Sequence, residues 1–344
     1  MRVAGRWARV GLGPAIALLF AWLAFRHLDW NSAWRSVAGA QPFWLGLALA
    51  LLAVDYFLRI TRWWLMLRSL TDLPLRAAAG PFLAGIAMNN VLPFRAGDVL
   101  RTAGFCRYLG LPVSRMLGTM VLERVLDLGS LLVFFLVGLW ILNPPLPATV
   151  RSAGYAVVVG CLIALVLVQA MPDRFRRLSL RLGEKAAERG APRMAQVGRW
   201  LADFFGALRT LHRPRLLALL WACSLAAWLC EGALFAAAAA ALSLTGIATI
   251  APWFAMATGT LGTLIPSTPG YVGTFDYFTI VGFTAGGMAY SDAAVLAILV
   301  HLLLWLPLTV LGLAWLAVRR HRVAFRLGRA ENRVENTNSI GVTP

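Results

Sequence analysis

The sequence predicts an all-α polytopic membrane protein with six full spans plus two re-entrant helical hairpins arranged as an inverted repeat. Three observations carry that expectation. The 344 residues are 60% hydrophobic and only 14% charged, whereas a soluble domain carries about 25% charged residues. Apolar runs near the roughly 20 residues that a spanning helix needs recur along the chain. Two further apolar regions are interrupted near their middles by proline and glycine, with the same spacing in each half of the chain.

The first segment, 1–41, opens with Arg2, Arg6 and Arg9 and continues into an apolar run at 8–26. No small-residue cleavage site precedes Arg26, so the run is read as an uncleaved span. Trp30 and Trp34 follow, as in a helix lying at a membrane interface. The first repeat, 42–171, holds spans at 42–60, 117–142 and 153–171, with a broken region at 77–108. The connection 172–215 is strongly basic, with Arg174, Arg177, Arg181 and Lys185 on one helical face and Phe175, Leu178 and Leu182 on another. Leu201, Phe204, Phe205, Leu208 and Leu211 repeat the amphipathic spacing. Such helices are expected to lie on the inner leaflet and to take anionic lipid as a partner, or to act simply as a topology anchor. The second repeat, 216–318, holds spans at 216–243 and 291–317 and a broken region at 252–288; a polar tail, 319–344, closes the chain.

Net charge is +17, with Lys185 the sole lysine. In a multispanning chain this excess belongs to cytoplasmic loops, and no nucleic-acid partner is expected. The positive-inside rule places the N-terminus, the 172–215 connection and the tail in the cytoplasm. The arginine-for-lysine bias hints at a GC-rich bacterial genome, and the expected location is the bacterial inner membrane. Cys106, Cys161, Cys223 and Cys230 lie apart in apolar surroundings, as buried thiols rather than a disulfide frame or zinc site. No metal-ligand cluster and no GxxxxGK[ST] motif is present, so no metal and no cofactor is expected.

The broken regions set the repeat. Pro93 and Pro266 are 173 positions apart, and so are Gly97 and Gly270. The same shift carries span 42–60 onto 215–233 and span 117–142 onto 290–315, both apolar and both running the opposite way. The first hairpin follows Arg62, Arg68 and Arg76 and enters from inside; the second enters from outside. Inverted-repeat transporters place their site where such discontinuous helices meet. The alternative is accidental kinks in an ordinary bundle.

Intramembrane charges mark the candidate site, since each costs about 2.5–3.5 kcal/mol at a helix centre on insertion scales. Asp55 and Arg59 stand at i,i+4 in the favourable order for an intrahelical pair. Arg95, Asp98 and Arg101 surround the first break, beside Asn89, Asn90 and Gly97. Guanidinium suits phosphate because its planar fork donates two hydrogen bonds to two oxygens, and a helix starting near Gly97 adds free N–H groups. The competing role for Arg95 and Arg101 is to neutralise Asp98, Glu123 and Asp127. Glu123 and Asp127 share a face with Arg124 beside them and need a cation or a shared proton. In the second break, Thr268 before Pro269 reads as an N-cap, with Gly270, Tyr271, Thr274 and Asp276 as polar contacts. Glu123, Asp127, Glu231 and His301 are candidates for ion coupling.

Together NNVLPFRAGDVLR at 89–101, VLERVLD at 121–127 and IPSTPGYVGTFD at 265–276 resemble the lysylphosphatidylglycerol synthase transmembrane-region family, also called flippase-like, over roughly residues 10–318. Its members include the membrane part of multiple peptide resistance factor, associated with flipping aminoacylated phosphatidylglycerol, and others associated with hopanoid traffic or polyprenyl-linked sugars. The resemblance implies translocation of a phospholipid, hopanoid or polyprenyl-phosphate-linked lipid. It singles out Asn89, Asn90, Pro93, Arg95, Gly97, Asp98, Arg101, Glu123, Arg124, Asp127, Pro266, Pro269, Gly270, Gly273 and Asp276. No soluble aminoacyl-transferase domain follows the membrane part, so the chain is not expected to be an enzyme that aminoacylates lipid; a separate lipid-modifying enzyme is an expected partner. Two alternatives stay open: a membrane-embedded enzyme on lipid-linked phosphate or sugar, with Glu123 and Asp127 in acid–base roles, and a non-transporting partner of a lipid-synthesis complex.

Overall fold

The computed structural model describes residues 4–26, 28–93, 95–144, 148–170, 172–189, 191–211, 213–244, 246–265 and 268–339. Among them every regular element is helical. Pro266, the proposed counterpart of Pro93, and Arg2 lie outside the described residues.

Four helices are long and apolar enough to cross a membrane: α3 (Pro42–Arg68), α7 (Val113–Leu142), α11 (Pro214–Ala241) and the first 30 residues, Tyr290–Arg319, of α14 (Tyr290–Ser339). Their starts follow local rules. Proline occupies the first turn of α3 and α11, where its missing N–H has no intrahelical partner to lose. α14 runs on to Ser339, well past the expected end of its apolar run at 317. The expected spans at 8–26 and 153–171 are helices α1 (Ala4–Phe25) and α8 (Ala148–Ala170), with described apolar stretches at Ala15–Phe25 and Ser152–Ile163. α2 (Trp30–Ala38) is capped by Asp29, whose carboxylate accepts the Asn31 N–H at 3.0 Å, and exposes Trp30 and Trp34.

Both broken regions double back. α4 (Leu75–Val91) ends where Leu92 turns extended, and the chain returns through α5 (Ala96–Val99), a π turn at Leu100–Gly104 and α6 (Cys106–Leu109). Gly97 lies against the Gly85 carbonyl, so close that any side chain there would collide with it. α12 (Ala251–Gly262) and α13 (Thr274–Ala285) run antiparallel, Gly286 against Ala251 at one end and Gly262 against Phe278 at the other.

Packing is reciprocal between the halves of the chain. α3 and α11 form the central pair. The first half's α4 lies along the second half's α14, with Trp315 over Gly80. The second half's α12 lies along the first half's α7, with Phe254 over Gly138. Two apolar clusters result, one around Phe235, Phe275 and Phe283 and the other around Trp63, Phe82 and Met116.

The basic connection is a pair of antiparallel helices, α9 (Pro172–Glu188) and α10 (Pro192–Leu211), in contact at Gly183 and Gly198. Ala207 of α10 rests on Gly118 of α7. Phe175, Leu178 and Leu182 of α9 and Met194, Val197 and Trp200 of α10 remain exposed, as helices built to meet an apolar phase would leave them.

Candidate functional site

The two hairpin tips meet over a cavity of about 430 Å³ between α3, α7, α11 and α14. One Arg95 Nη2 donates to the Thr263 carbonyl at 3.4 Å, and its guanidinium lies 5.7 Å from the Tyr271 ring centroid. Gly270 sits beside the Asn90 carbonyl and the Trp305 indole; its φ of 71° leaves no room for a side chain between them.

Buried ion pairs form the cavity wall. Arg59 is the hub: its Nε donates to Asp55 at 2.6 Å and its Nη2 to Glu231 at 2.7 Å, with Asp127 3.7 Å from Nη1. The Trp228 ring lies under it, 4.0 Å from centroid to guanidinium carbon. Arg62 donates to Asp127 at 2.7 Å and to the Ser224 hydroxyl. Arg101 donates to Glu123 at 2.8 Å, its guanidinium against the rings of Trp63 and Phe82. Arg124 reaches Glu123 at 3.2 Å and Asp98 at 3.5 Å. The i,i+4 pairing of Asp55 with Arg59 thus forms as its spacing predicts. Glu123 and Asp127 each take their own arginine, Arg101 and Arg62, which offsets the repulsion their spacing creates.

The first tip divides its two arginines. Arg101 is 2% exposed and does not line the cavity; the π turn, one residue wider than an α turn, carries it inside against Glu123. Arg95 lines the cavity and, among the described residues, has no carboxylate within 4 Å. It holds the left-handed conformation at φ 52°, a placement that costs a residue with a Cβ roughly 1–2 kcal/mol and clusters at functional positions. Asn89 and Asp98 brace the turn reciprocally: Asn89 Nδ2 donates to the Asp98 carboxylate at 3.1 Å, and Asn89 Oδ1 accepts the Asp98 N–H at 3.2 Å. Asn90 donates to the Thr309 hydroxyl at 2.9 Å and accepts from Trp305 Nε1 at 3.3 Å.

At the second tip the expected Thr268 cap does not form. Thr268 precedes only a three-residue turn, Pro269–Tyr271, with no side-chain cap, and α13 starts at Thr274. Gly270 and Tyr271 both take positive φ, so the turn cannot propagate into the helix. The Gly273 N–H instead finds Asp276 Oδ2 at 2.8 Å. Gly270 and Tyr271 line the cavity; Thr268, Thr274 and Asp276 do not. Asp276 is held behind it by His301, whose Nδ1 is 2.7 Å from Oδ1, while His301 Nε2 is 2.9 Å from the Gly270 carbonyl.

Arg62, Trp228 and Trp305 also line the cavity, although none stands out in the sequence as a site residue, and Arg59, expected only as the partner of Asp55, lines it too. Their only linear signal is charge or tryptophan inside an apolar run. Besides Arg95, the charges lining the cavity are three arginines, Arg59, Arg62 and Arg124, and four carboxylates, Asp98, Glu123, Asp127 and Glu231. The arrangement offers a slightly acidic wall and one guanidinium with no carboxylate partner among the described residues, inside a bundle of apolar helices.

The family model described as Lysylphosphatidylglycerol synthase TM region matches residues 10–312. No curated protein matches the chain.

Proposed function

The chain belongs to the lysylphosphatidylglycerol synthase transmembrane-region family, and from that premise we propose that it is a lipid translocase moving an anionic or phosphate-bearing headgroup across the bacterial inner membrane. It is a multi-pass helical membrane protein. In this proposal it crosses six times with both termini cytoplasmic, and the two hairpins are re-entrant halves of an inverted repeat. The reciprocal packing of α4 on α14 and α12 on α7 supports that symmetry.

The observation that carries the reading is the charged cavity where the tips meet. Burying ions in an apolar bundle is costly, and a buried charge left without its partner costs most. This bundle leaves Arg95 facing the cavity with no carboxylate partner among the described residues. A phosphate group would receive two hydrogen bonds from that guanidinium. The facing wall, one carboxylate richer than its arginines, suits a cationic substituent on the same headgroup. Acyl or prenyl tails would stay in the bilayer while one repeat rocks against the other. The lipid leaves covalently unchanged, and a separate enzyme supplies any modification.

The test uses the purified full chain in liposomes carrying a trace of tail-labelled fluorescent phosphatidylglycerol, with dithionite added outside. Wild-type protein should expose nearly all the label, against half in empty vesicles. Arg95→Ala should return the signal to half at matched protein levels. Equal flux in wild type and Arg95→Ala would overturn the phosphate role. Recovery of lipid with altered mass would replace transport by chemistry.

A further inference from the structure

We propose that the His301–Asp276 pair is a proton-binding site whose proton fastens the tip of the second hairpin to α14. The argument rests on hydrogen-bond valence. The Gly270 carbonyl only accepts, so at 2.9 Å His301 Nε2 must carry a hydrogen. Asp276 Oδ1 stands 2.7 Å from Nδ1. Either Nδ1 also carries a hydrogen and the ring is an imidazolium, or Asp276 is protonated and donates to Nδ1. Both forms hold one proton more than a neutral ring beside a carboxylate.

Removing that proton leaves one N–H for two acceptors. The carboxylate keeps it, because a charge-assisted hydrogen bond is roughly twice as strong as a neutral one. Nε2 then points a lone pair at the Gly270 oxygen, and the contact becomes repulsive. Among the described residues the tip's other hydrogen bonds stay within the hairpin: the Tyr271 N–H reaches the Thr268 carbonyl at 3.1 Å, and the Thr268 hydroxyl reaches the Val272 carbonyl at 3.4 Å. Loss of the His301 bond therefore leaves the tip over the cavity held to α14 by packing alone, at Gly270 against Trp305.

The pair is placed to exchange protons with the cavity. His301 lines it with 15% of its side chain exposed, while Asp276 behind it is 3% exposed. Phe275 covers the ring edge-on at 5.1 Å between centroids. The other ionisable groups lining the cavity are Tyr56, Arg59 and Arg62 of α3, Glu123, Arg124 and Asp127 of α7, Glu231 of α11, and Arg95, Asp98 and Tyr271 of the tips; none hydrogen-bonds or ion-pairs with His301. Asn90 and Trp305 bind the first tip to the same helix with neutral groups, so only the second fastening titrates.

Amide hydrogen exchange of the peptide spanning Gly270–Val272 tests this, on the full chain in nanodiscs without added substrate, across about pH 5 to 9, where histidine switches most readily. Read this way, the result is independent of the transport proposal. Protection, corrected for the intrinsic exchange rate, should fall by about tenfold or more as pH rises in the wild type. Asp276→Asn should stay protected throughout, because its amide donates to Nδ1 of a neutral ring whose Nε2–H still holds Gly270. His301→Phe should be unprotected throughout. A flat wild-type profile, or Asp276→Asn tracking the wild type, overturns the proposal. Should either variant fail to fold, the imidazole nitrogen shifts of His301 in the wild type decide: a change that coincides with the loss of protection supports the site, and invariance over the same range overturns it.

Discussion

The two hairpin tips rest on the same helix, α14, yet they are built from different chemistry. The first carries Arg95, Asp98 and Arg101 and is anchored by neutral donors, Asn90 Nδ2 to Thr309 and Trp305 Nε1 to the Asn90 carbonyl. The second carries no charge at its tip and is anchored through an imidazole. A guanidinium that is to meet a ligand needs a backbone whose position does not depend on conditions. A segment that is to move needs a fastening that can be withdrawn. The division of labour follows from which residues stand at matching places: Arg95 in one repeat corresponds to Thr268 in the other, 173 positions on.

The sharpest way to break that comparison is to remove the buried arginine of the first tip. Arg101→Ala leaves Glu123 at 2% exposure with only the partly exposed Arg124 for company. Losing one partner of a buried pair costs about 3–5 kcal/mol, so the variant should show a strong fall in thermal unfolding temperature in detergent. Arg95→Ala removes a guanidinium 5.7 Å from the Tyr271 ring centroid that has no carboxylate partner among the described residues, so it should leave that temperature nearly unchanged while abolishing flux. A second pair of variants probes the backbone of each tip. Gly97→Ala drives a methyl group into the Gly85 carbonyl and should cost about 1–3 kcal/mol by overpacking. Gly270→Ala places a side chain at positive φ beside Trp305 and should cost about 1–2 kcal/mol, measured by the same unfolding scan. The smallest effect is expected at the neutral fastening: Asn90→Ala removes the side-chain hydrogen bonds to the Thr309 hydroxyl and, at longer range, the Trp305 carbonyl, together worth about 1 kcal/mol, and their loss should lower protection of the first tip at every pH alike.

Much of the architecture was legible because lipid imposes a simple rule on sequence. The long apolar runs became α3, α7, α11 and α14, and the Pro–Gly interruptions became places where the chain turns back. Asp55 and Arg59 were legible because their contact is local to one helix. The competing role for Arg101, neutralising Glu123, is the one that forms, but most of what is decided by side chains meeting from distant positions escaped. Arg59 finds Glu231 across 172 positions and Arg62 finds Asp127 across 65; no periodicity encodes either match. Arg101 was expected at the cavity beside Arg95, but a single π turn rotates it away. Thr268 has the composition of a cap, and two successive residues at positive φ cancel it.

The hub at Arg59 bears on how the chain is made. α3 enters the bilayer with Asp55 and Arg59 already matched on one helix, 2.6 Å apart. α11, synthesised much later, brings Glu231 with no basic residue within a turn on either side. An unmatched acid at a helix centre is poorly tolerated by the insertion machinery's own scale. Glu231 gains its counter-ion only where α11 meets α3, so the charge balance at the middle of the bundle waits on a helix from the later part of the chain.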